Sequence, residues 1–348
     1  MNVKRIGIDL AKQVFQVHGV DSHEQTVLKK KLKREQMLPF FRDLPACLIG
    51  LEACSSAHHW GRELEKLGHT VKLIAPQFVK PYVKANKNDA NDAEAICEAV
   101  SRPTMRFVAI KTVAQQDLQA THRIRSQLVS QRTEKANQIR GLLAEYGIVV
   151  GQRLETLRKA LPGLLEDGDN HLTSHFRSLL NGLKDDLIGL DERVKDLDKR
   201  IQRQADTDPG AKRLQQIPGI GPITATALVS GVGDGKQFKR GRDMAAWLGL
   251  TPGQHSSGGK ERLLGISKRG DAYLRTLLIH GARAVLKVAG QKDDPRSRWL
   301  QTLSERRNKN IAAVALANKN ARIAWALLSK NIDYQPDRDR PAGESAWA

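Results

Sequence analysis

The sequence contains few of the residues that cross-link a small fold, and no segment suited to crossing a membrane. Its only cysteines are Cys47, Cys54 and Cys97, and none lies in a CxxC pair near histidines. This spacing excludes a disulfide framework and predicts ordinary buried thiols. No apolar run approaches the ~20 residues that span a bilayer, and the opening MNVKRIGIDLAK lacks the apolar core of a signal peptide. We therefore expect a cytoplasmic protein without a membrane partner.

Aromatic residues and nucleotide-binding motifs are also scarce. Aromatics make up 5% of the chain, too few for extensive base stacking, and no zinc finger or similar base-reading module occurs. A GxGxxG motif is absent, which argues against a dinucleotide-binding sheet. Positive charge is abundant instead: 57 lysines and arginines face 38 acidic residues, a net charge of +19. Such an excess predicts a polyanionic partner, and favours nucleic acid over a membrane surface.

The length of 348 residues predicts two or three domains. β-Branched runs and helical periodicity in the first part alternate in a definite order. The predicted elements are strands at 3–10, 14–20 and 26–28, a polar helix, a strand at 47–52, a helix at 58–67 and a strand at 71–75. A meander followed by alternating helices and strands favours a ribonuclease H-like α/β domain over residues 1–110.

Residues 111–206 are predicted to be helical, with helices over 118–146 and 171–203. Apolar residues recur in the second helix at steps of three and four, as in a coiled coil. They are Leu172, Phe176, Leu179, Leu183, Leu187, Leu190, Val194, Leu197 and Ile201. This stripe either packs the two helices together within one chain or pairs two protomers, and the sequence does not distinguish these arrangements.

The turn-forming run at 206–210 predicts a linker, followed by a mostly helical domain over 207–330 and a disordered tail over 331–348. Near its start, PGIG lies between two helical segments and resembles a helix-hairpin-helix element. In such an element, Gly219 and Gly221 would let backbone amides approach a phosphate. A simple tight turn between packed helices is the alternative.

Four carboxylates stand at the ends of predicted elements: Asp9 in GIDLAK, Glu52 in IGLEACSS, and Asp89 and Asp92 in KNDANDAEAI. The last two are three residues apart and therefore share one helix face. Oxygen donors of this kind suit magnesium, and two such ions can polarise a phosphodiester. Each carboxylate taken singly is more often a solvated residue, and Asp89 could instead cap the following helix.

Residues 247–275 combine a Ser-Ser-Gly-Gly turn with a basic cluster. Serine needs an activating base or metal and cationic stabilisation of the phosphoryl group to act as a nucleophile. The neighbours that could supply these functions are His255, Lys260, Lys268 and Arg269. Alternatively, Ser256 and Ser257 are simple turn formers or phosphate-binding hydroxyls.

Together these segments resemble one family, the DEDD insertion-sequence transposases. The motifs that carry the resemblance are GIDLAK, GLEAC, KNDANDA, LQATHRIRSQLVSQRTEKANQIRGLLAEYG, IPGIGPITA, GLTPGQHSSGGK and ISKRGDAYLR. The long helix and the late VALANKNARIAWALL segment are similar to the IS1111 branch of the IS110 family, relatives of the Piv-type DNA invertases. The resemblance extends from about Val3 to Leu328.

The resemblance implies a RuvC-like N-terminal domain with a DEDD magnesium site formed by Asp9, Glu52, Asp89 and Asp92. It implies that Ser257, which directly precedes a glycine, is the nucleophile that attacks DNA, with Ser256 as the adjacent alternative. It further implies a bridge RNA that pairs with donor and target DNA, and assembly of the protein into dimers or tetramers.

Three other functions are considered beside this one. A RuvC-like junction nuclease would share the acidic site but use a metal-activated water. A non-catalytic RNA- or DNA-binding protein would explain the charge but not the carboxylates. An actin-like kinase would match GIDLAK, but no second glycine-rich phosphate loop follows.

Overall fold

The computed structural model divides the chain into two compact units, Met1–Ala114 and Gln115–Ala348. Within them it describes residues 2–84 and 88–336. None of the helices in those two ranges is both long and apolar enough to cross a membrane. Within the predicted tail, Tyr334 is hydrogen-bonded to Gln216 and Arg296, whereas disorder of the tail over 331–348 stays a prediction. The rest of the predicted tail lies outside the described residues.

A six-stranded mixed sheet forms the centre of the first unit. Its strands are β1 (Arg5–Leu10), β2 (Val14–Val20), β3 (Thr26–Lys33), β4 (Leu48–Glu52), β5 (Thr70–Ile74) and β6 (Phe107–Val108). Their order is β3-β2-β1-β4-β5-β6. The first three strands form an antiparallel meander, whereas β4 and β5 run parallel to β1. The predicted bounds of β1, β2, β4 and β5 agree with the structure to within two residues, whereas the predicted strand at 26–28 continues to Lys33 and β6 was not predicted. The topology is compatible with the expected RuvC-like domain.

Among the described residues of this unit, four α-helices accompany the sheet: α1 (Met37–Arg42), α2 (Ala57–Lys66), α3 (Pro76–Val79) and α4 (Asp89–Val100). Side chains of α1 and α2, including Phe41 and Leu64, share a core with Ile8 of β1 and Phe15 of β2. A second core on the other side joins Ile96 of α4 to Ile74. The sheet is thus covered by helices on both faces, so its central strands are buried on each side.

Helix α4 crosses β1 at a contact that has no room for a side chain. A Cβ atom built on Gly7 would lie 2.2 Å from the carbonyl oxygen of Ala93 and 2.3 Å from the amide nitrogen of Cys97. A Cβ on Gly50 of β4 would likewise meet Val100 at 2.9 Å. Glycine is needed here because backbone approaches backbone.

Arg5 fixes the direction of α4 along β1. Its buried Nε donates to the carbonyl oxygen of Cys97 at 2.9 Å, and its Nη2 lies 3.6 Å from Glu98. The Nη1 group of the same guanidinium donates a hydrogen bond to the Glu24 carboxylate. The carboxyl end of α4 therefore lies at the start of β1, which places the amino end of α4 beside the end of β1.

The second unit contains nine helices among its described residues, and three of them form its extended part. These are α5 (Val113–Ala144), α6 (Leu154–Glu166) and α7 (Ser174–Thr207). Apolar residues of all three share one core, in which Ile139, Leu157 and Leu180 are fully buried.

Ion pairs define how α5 and α7 run. Arg125 binds Asp198, Arg132 binds Asp191 at 3.2 Å, and Lys135 binds Asp186 at 2.9 Å. Residue numbers rise in α5 as they fall in α7, so the two helices are antiparallel. The predicted stripe is thus used for packing within the chain, except for Leu179, which is 52% exposed. Pairing of two protomers through these helices is not tested by this packing.

The remaining helices form a compact bundle. They are α8 (Pro209–Gln215), α9 (Pro222–Val232), α10 (Gly241–Trp247), α11 (Ala272–Ala289), α12 (Pro295–Arg306) and α13 (Lys309–Lys330). Small alanines on α13 allow close packing, and they share a core with residues such as Leu278 and Leu300. A two-stranded hairpin, formed by β7 (Pro252–Gln254) and β8 (Leu263–Ile266), follows α10 and precedes α11 in the chain.

The predicted linker at 206–210 is wrong in extent. Helix α7 continues to Thr207 and α8 begins at Pro209, so only Asp208 separates them. Asp208 accepts a hydrogen bond from the amide of Ala211 and caps α8, which proline at the first helical position also favours. The turn-forming residues therefore make a helix junction instead of a loop. Separate folding of residues 207–330 remains a prediction.

We predict that Gly7→Ala lowers the free energy of unfolding by about 3 kcal/mol, because the new methyl group collides with the α4 backbone. Gly182→Ala is a matched control, since nothing lies within 4 Å of its Cβ position. That change should stabilise α7 by about 0.5–1 kcal/mol. Chemical denaturation measures both values, and equal effects of the two substitutions would contradict the proposed backbone contact.

Candidate active site

The four predicted carboxylates lie on three elements of the first unit. Asp9 is the fifth residue of β1, and Glu52 ends the neighbouring parallel strand β4. Asp89 and Asp92 occupy the first turn of α4, whose amino end lies beside the end of β1. The cap of α4 is Asn88, whose side chain accepts a hydrogen bond from the amide of Asn91 at 2.8 Å. The alternative in which Asp89 serves as the cap is therefore wrong.

The electrostatics of Asp9 indicate that the other three carboxylates lie near it. Burial is the largest cause that raises the pKa of the Asp9 carboxyl, and the charges of Asp89, Asp92 and Glu52 follow in that order, so that together they bring it to about 6. The Cys54 thiol lies in the same environment: burial raises its pKa first, followed by the charges of Glu52 and Asp9. A carboxyl surrounded by like charges is a frequent mark of a functional site.

The donor set fits a divalent cation, because it offers hard carboxylate oxygens with a surplus of negative charge. Within the described residues, however, no three histidine, cysteine or acidic side chains already stand at metal-ligand distances. Like charges repel one another, and a cation would offset that repulsion and draw the oxygens together. The four residues that would hold it are those that the sequence singled out.

Ser256 and Ser257 lie at the tip of the β7–β8 hairpin. The amide of Lys260 donates to the Ser257 carbonyl at 3.1 Å, and the two intervening glycines have φ of 55° and 76°. Positive φ at both central positions defines a type I′ turn, for which glycine is favoured. The predicted Ser-Ser-Gly-Gly turn is thus confirmed.

The two serine hydroxyls have different surroundings. The Ser256 hydroxyl accepts hydrogen bonds from Gln254 Nε2 at 3.0 Å and from the Arg262 amide at 3.3 Å. Among the described residues, none hydrogen-bonds to the exposed Ser257 hydroxyl. Ser256 is therefore engaged in the hairpin, whereas Ser257 is accessible.

The hairpin register distributes the basic side chains. Ser257 pairs with Lys260, and the amide of His255 donates to the carbonyl of Arg262. Residues directly opposite in an antiparallel pair share a face, and so do alternate residues along a strand. His255, Ser257, Lys260 and Arg262 thus lie on one face. By contrast, Lys268 and Arg269 lie at the base of the hairpin near Gly249, away from Ser257.

The PGIG turn between α8 and α9 is anchored from inside the bundle. The Pro218 carbonyl accepts hydrogen bonds from Arg296 Nη1 at 3.1 Å and from Asn320 Nδ2 at 3.0 Å. A Cβ on Gly219 would meet the backbone of Gly281 at 2.9 Å, whereas one on Gly221 would meet nothing within 4 Å. Close packing against Gly281 thus explains why Gly219 is a glycine. Only at Gly221 is there free space beside the backbone.

Sequence reasoning missed a buried network centred on His122. The Thr226 hydroxyl donates to the Pro222 carbonyl at 2.8 Å and so accepts from His122 Nε2 at 3.0 Å. His122 Nδ1 then accepts from the Tyr273 hydroxyl at 3.1 Å. Burial lowers the pKa of His122 to about 4, so the ring is neutral at pH 7. A histidine inside an otherwise charged helix was the available signal.

This network borders a polar cleft of about 570 Å³ in the second unit. The cleft is lined by polar and charged side chains of α5, by α9 and by the start of α11. The lining residues include Gln119, Arg123, Ser126, Gln127, Ser130, Ser230 and Asp271. The network therefore brings together three of the family-like motifs, which lie around His122, Thr226 and Tyr273.

We predict that Asp9→Asn stabilises the protein in metal-free buffer near pH 7.5. Burial, followed by the charges of Asp89, Asp92 and Glu52, raises the pKa of this carboxyl to about 6, so between pH 4 and 6 the unfolded chain releases the proton more readily and the folded state loses stability. Asparagine carries no charge and removes this cost. Because the carboxyl is partly exposed, we expect a gain of about 1 kcal/mol. Thermal unfolding measures it, with the exposed Glu35→Gln as control. Added magnesium should stabilise the wild type more than the variant, and a variant less stable than the wild type without metal would contradict the repulsion.

A second prediction concerns acid stability. The pKa of His122 is about 6.5 unfolded and about 4 folded, so the unfolded chain binds more protons between these values. Stability should therefore fall by about 3 kcal/mol as the pH drops through this window. His122→Gln should show a smaller loss than the wild type, and the exposed His175→Gln the same loss. Identical pH dependence in all three proteins would contradict burial of a neutral imidazole.

Comparisons with known proteins match separate family models to the two parts of the chain. A family model of the DEDD domain of IS110 transposases matches residues 6–148, and one described as "Transposase IS116/IS110/IS902 family" matches residues 211–298.

Curated relatives match over nearly the whole chain. A "Probable family 20 transposase" of Pseudomonas aeruginosa is 56% identical over 97% of this chain and 100% of its own length. The "Transposase for insertion sequence element IS1111A" of Coxiella burnetii is 47% identical over 96% and 92%. The "Transposase for insertion sequence element IS1328" of Yersinia enterocolitica is 41% identical over 96% and 99%. The protein belongs to the IS110 family of DEDD transposases.

Proposed function

We propose that this transposase cuts and exchanges donor and target DNA strands with two chemical groups, a magnesium-dependent DEDD site and the Ser257 hydroxyl. The observation that carries the proposal is the convergence of Asp9, Glu52, Asp89 and Asp92 at the ends of β1 and β4 and the start of α4, in a protein of net charge +19. Burial and then the charges of the other three carboxylates raise the pKa of Asp9 to about 6. A cluster of acids costs electrostatic repulsion unless a cation offsets it. Bound magnesium would supply positive charge that polarises a phosphodiester and stabilises its transition state.

Ser257 is the proposed nucleophile. Its oxygen loses a proton and forms a bond to phosphorus, while the bond from phosphorus to one DNA sugar oxygen breaks. That oxygen leaves with a proton as a DNA hydroxyl. In the second half of the reaction, the hydroxyl of the exchanging strand attacks the phosphoserine, restores a phosphodiester and returns the proton to Ser257. The geometry favours Ser257 over Ser256 because the Ser256 hydroxyl is engaged inside the hairpin.

The surrounding cations suit this step. Lys260 lies opposite Ser257, and His255 and Arg262 share its face of the hairpin. Positive groups can stabilise the charge that develops on the phosphoryl oxygens, and His255 could accept the serine proton. Lys268 and Arg269 are proposed to contact DNA phosphates from the base of the hairpin, and Gly221 from the PGIG turn.

Sequence specificity is proposed to come from a bridge RNA that pairs with donor and target DNA. The high content of lysine and arginine and the low content of aromatics support backbone binding more than base reading. Recombination of two DNAs requires more than one active site, so we also propose a dimer that pairs into a tetramer. The partly exposed Leu179 and Ile188 of α7 are available for such contacts.

The test uses full-length protein, bridge RNA, magnesium and labelled donor and target DNA, followed by denaturing electrophoresis. We expect wild type and Ser256→Ala to retain label covalently, whereas Ser257→Ala retains at least 100-fold less, since the nucleophile is absent. Asp9→Asn should also lose the adduct through weakened metal binding.

Either of two results would overturn this assignment. Cutting without any covalent adduct would identify a hydrolytic nuclease that uses a metal-activated water. Nucleic-acid binding without cutting, and without any effect of Asp9→Asn, would identify a non-catalytic binding protein. A related transposase known to be active, assayed in parallel, controls for inactive RNA or DNA.

A further inference from the structure

Strand β3 carries a row of lysines on a defined face of the sheet. It forms one edge of the sheet, and its sequence is TVLKKKLK. Alternate residues of a strand point to the same face, so Lys29, Lys31 and Lys33 share one face. All three are exposed. Successive members are about 6.8 Å apart along the strand.

The opposite face of β3 belongs to the core of the first unit. Leu28 and Leu32 are buried there, with 6% and 2% exposure. Lys30, which lies between them, places its ammonium group 4.7 Å from the ring centre of Phe40 on α1. The four lysines of β3 are thus divided by the pleat: one lies on the α1 side and three on the other.

The three-lysine face is the face that carries Asp9. Asp9 pairs with Gln16 of β2, and Gln16 pairs with Lys31 of β3. Directly paired residues share a face, and each strand-to-strand step is about 4.8 Å, so Lys31 lies about 10 Å from Asp9. Gly7, which contacts α4, pairs with His18 and through it with Lys29 in the same manner.

Few negative charges lie near Lys29, Lys31 and Lys33 to balance their positive charge. Glu94 of α4 forms an ion pair with Lys84 at 3.0 Å, and it also interacts with His18 and Lys29. In the two described ranges of the chain, no carboxylate lies within 4 Å of the ammonium groups of Lys31 and Lys33. The end of the row nearest the carboxyl end of β1 is therefore the most positive.

We propose that Lys29, Lys31 and Lys33 bind the phosphate backbone of the DNA strand whose phosphodiester lies at the carboxylate site. This deepens the proposed function, on which it rests. A polyanion that reaches Asp9 must approach four carboxylates, and a row of cations in the same rungs of the sheet offsets that repulsion. Charge complementarity and the shared face identify the occupant as the strand being cut.

A competing explanation is that the lysines only protect an edge strand from pairing with another chain, which lysine commonly does. Protection depends on charge at the edge and is indifferent to the face on which each lysine lies. DNA binding depends on the face. Lys30 and Lys31 are neighbours on the same strand with the same side chain, so they form a matched pair for this distinction.

The experiment measures binding of a short fluorescein-labelled DNA duplex to the full chain by anisotropy, in EDTA, across a range of NaCl concentrations. The variants are Lys31→Gln, Lys30→Gln and the triple change of Lys29, Lys31 and Lys33 to glutamine. Loss of one phosphate contact lowers the slope of log K against log [NaCl] by about 0.9. We expect the magnitude of this slope to fall by about 0.9 for Lys31→Gln and by about 2 to 3 for the triple variant. For Lys30→Gln we expect the slope to be unchanged.

An unlabelled RNA duplex of the same sequence serves as competitor in a second series. Equal slopes for Lys30→Gln and Lys31→Gln would overturn the proposal, because bulk charge alone would then matter. So would an unchanged slope with increased light scattering in Lys31→Gln, which would assign the row to edge protection. A change confined to RNA binding would overturn the choice of DNA. Since no cleavage is measured, these outcomes are separate from failure of the serine or DEDD assignments.

Discussion

The contact of α4 with β1 at Gly7 is the constraint on which the proposed carboxylate site depends. Two backbones meet there without an intervening side chain. Arg5 binds the carboxyl end of the helix, so the helix can neither slide nor reverse without breaking a buried hydrogen bond. Two residues after Gly7, Asp9 then lies beside the first turn of α4. A site made from three elements distant in sequence is thus positioned by one close approach.

The cluster of carboxylates that is proposed to hold the metal also lowers the stability of the folded chain. Burial and three neighbouring carboxylates raise the pKa of Asp9, so its ionisation destabilises the folded chain at neutral pH. The rest of the protein is strongly basic. A DNA-cutting enzyme needs both features, because cations attract the polyanion and acids hold the metal that acts on it. The lysines of β3 are the point at which these opposite charges lie on the same sheet face.

In the second unit, the hairpin that carries the proposed nucleophile and the buried network that holds the helices together are separate parts of the fold. The hairpin that carries Ser257 is exposed and short, whereas helix α5 is joined to the bundle by the buried hydrogen bonds of His122. These bonds join residues more than one hundred positions apart in the chain. Such a polar network is stable only when every member is satisfied, so it specifies one relative position of α5, α9 and α11.

The sequence alone determined the nature of the parts: strand and helix periods, the carboxylates at element ends, the glycine turn after Ser257, and the family through its motifs. These are local patterns, and local geometry decides them.

Other features depend on contacts between distant residues and were decided only by the tertiary structure. The stripe of α7 packs onto α5 and α6 because basic residues of α5 and acidic residues of α7 match in antiparallel register. The run at 206–210 became a helix junction because Asp208 caps α8. Lys31 and Asp9 share a rung because β2 pairs with both of their strands, a register that no single segment encodes.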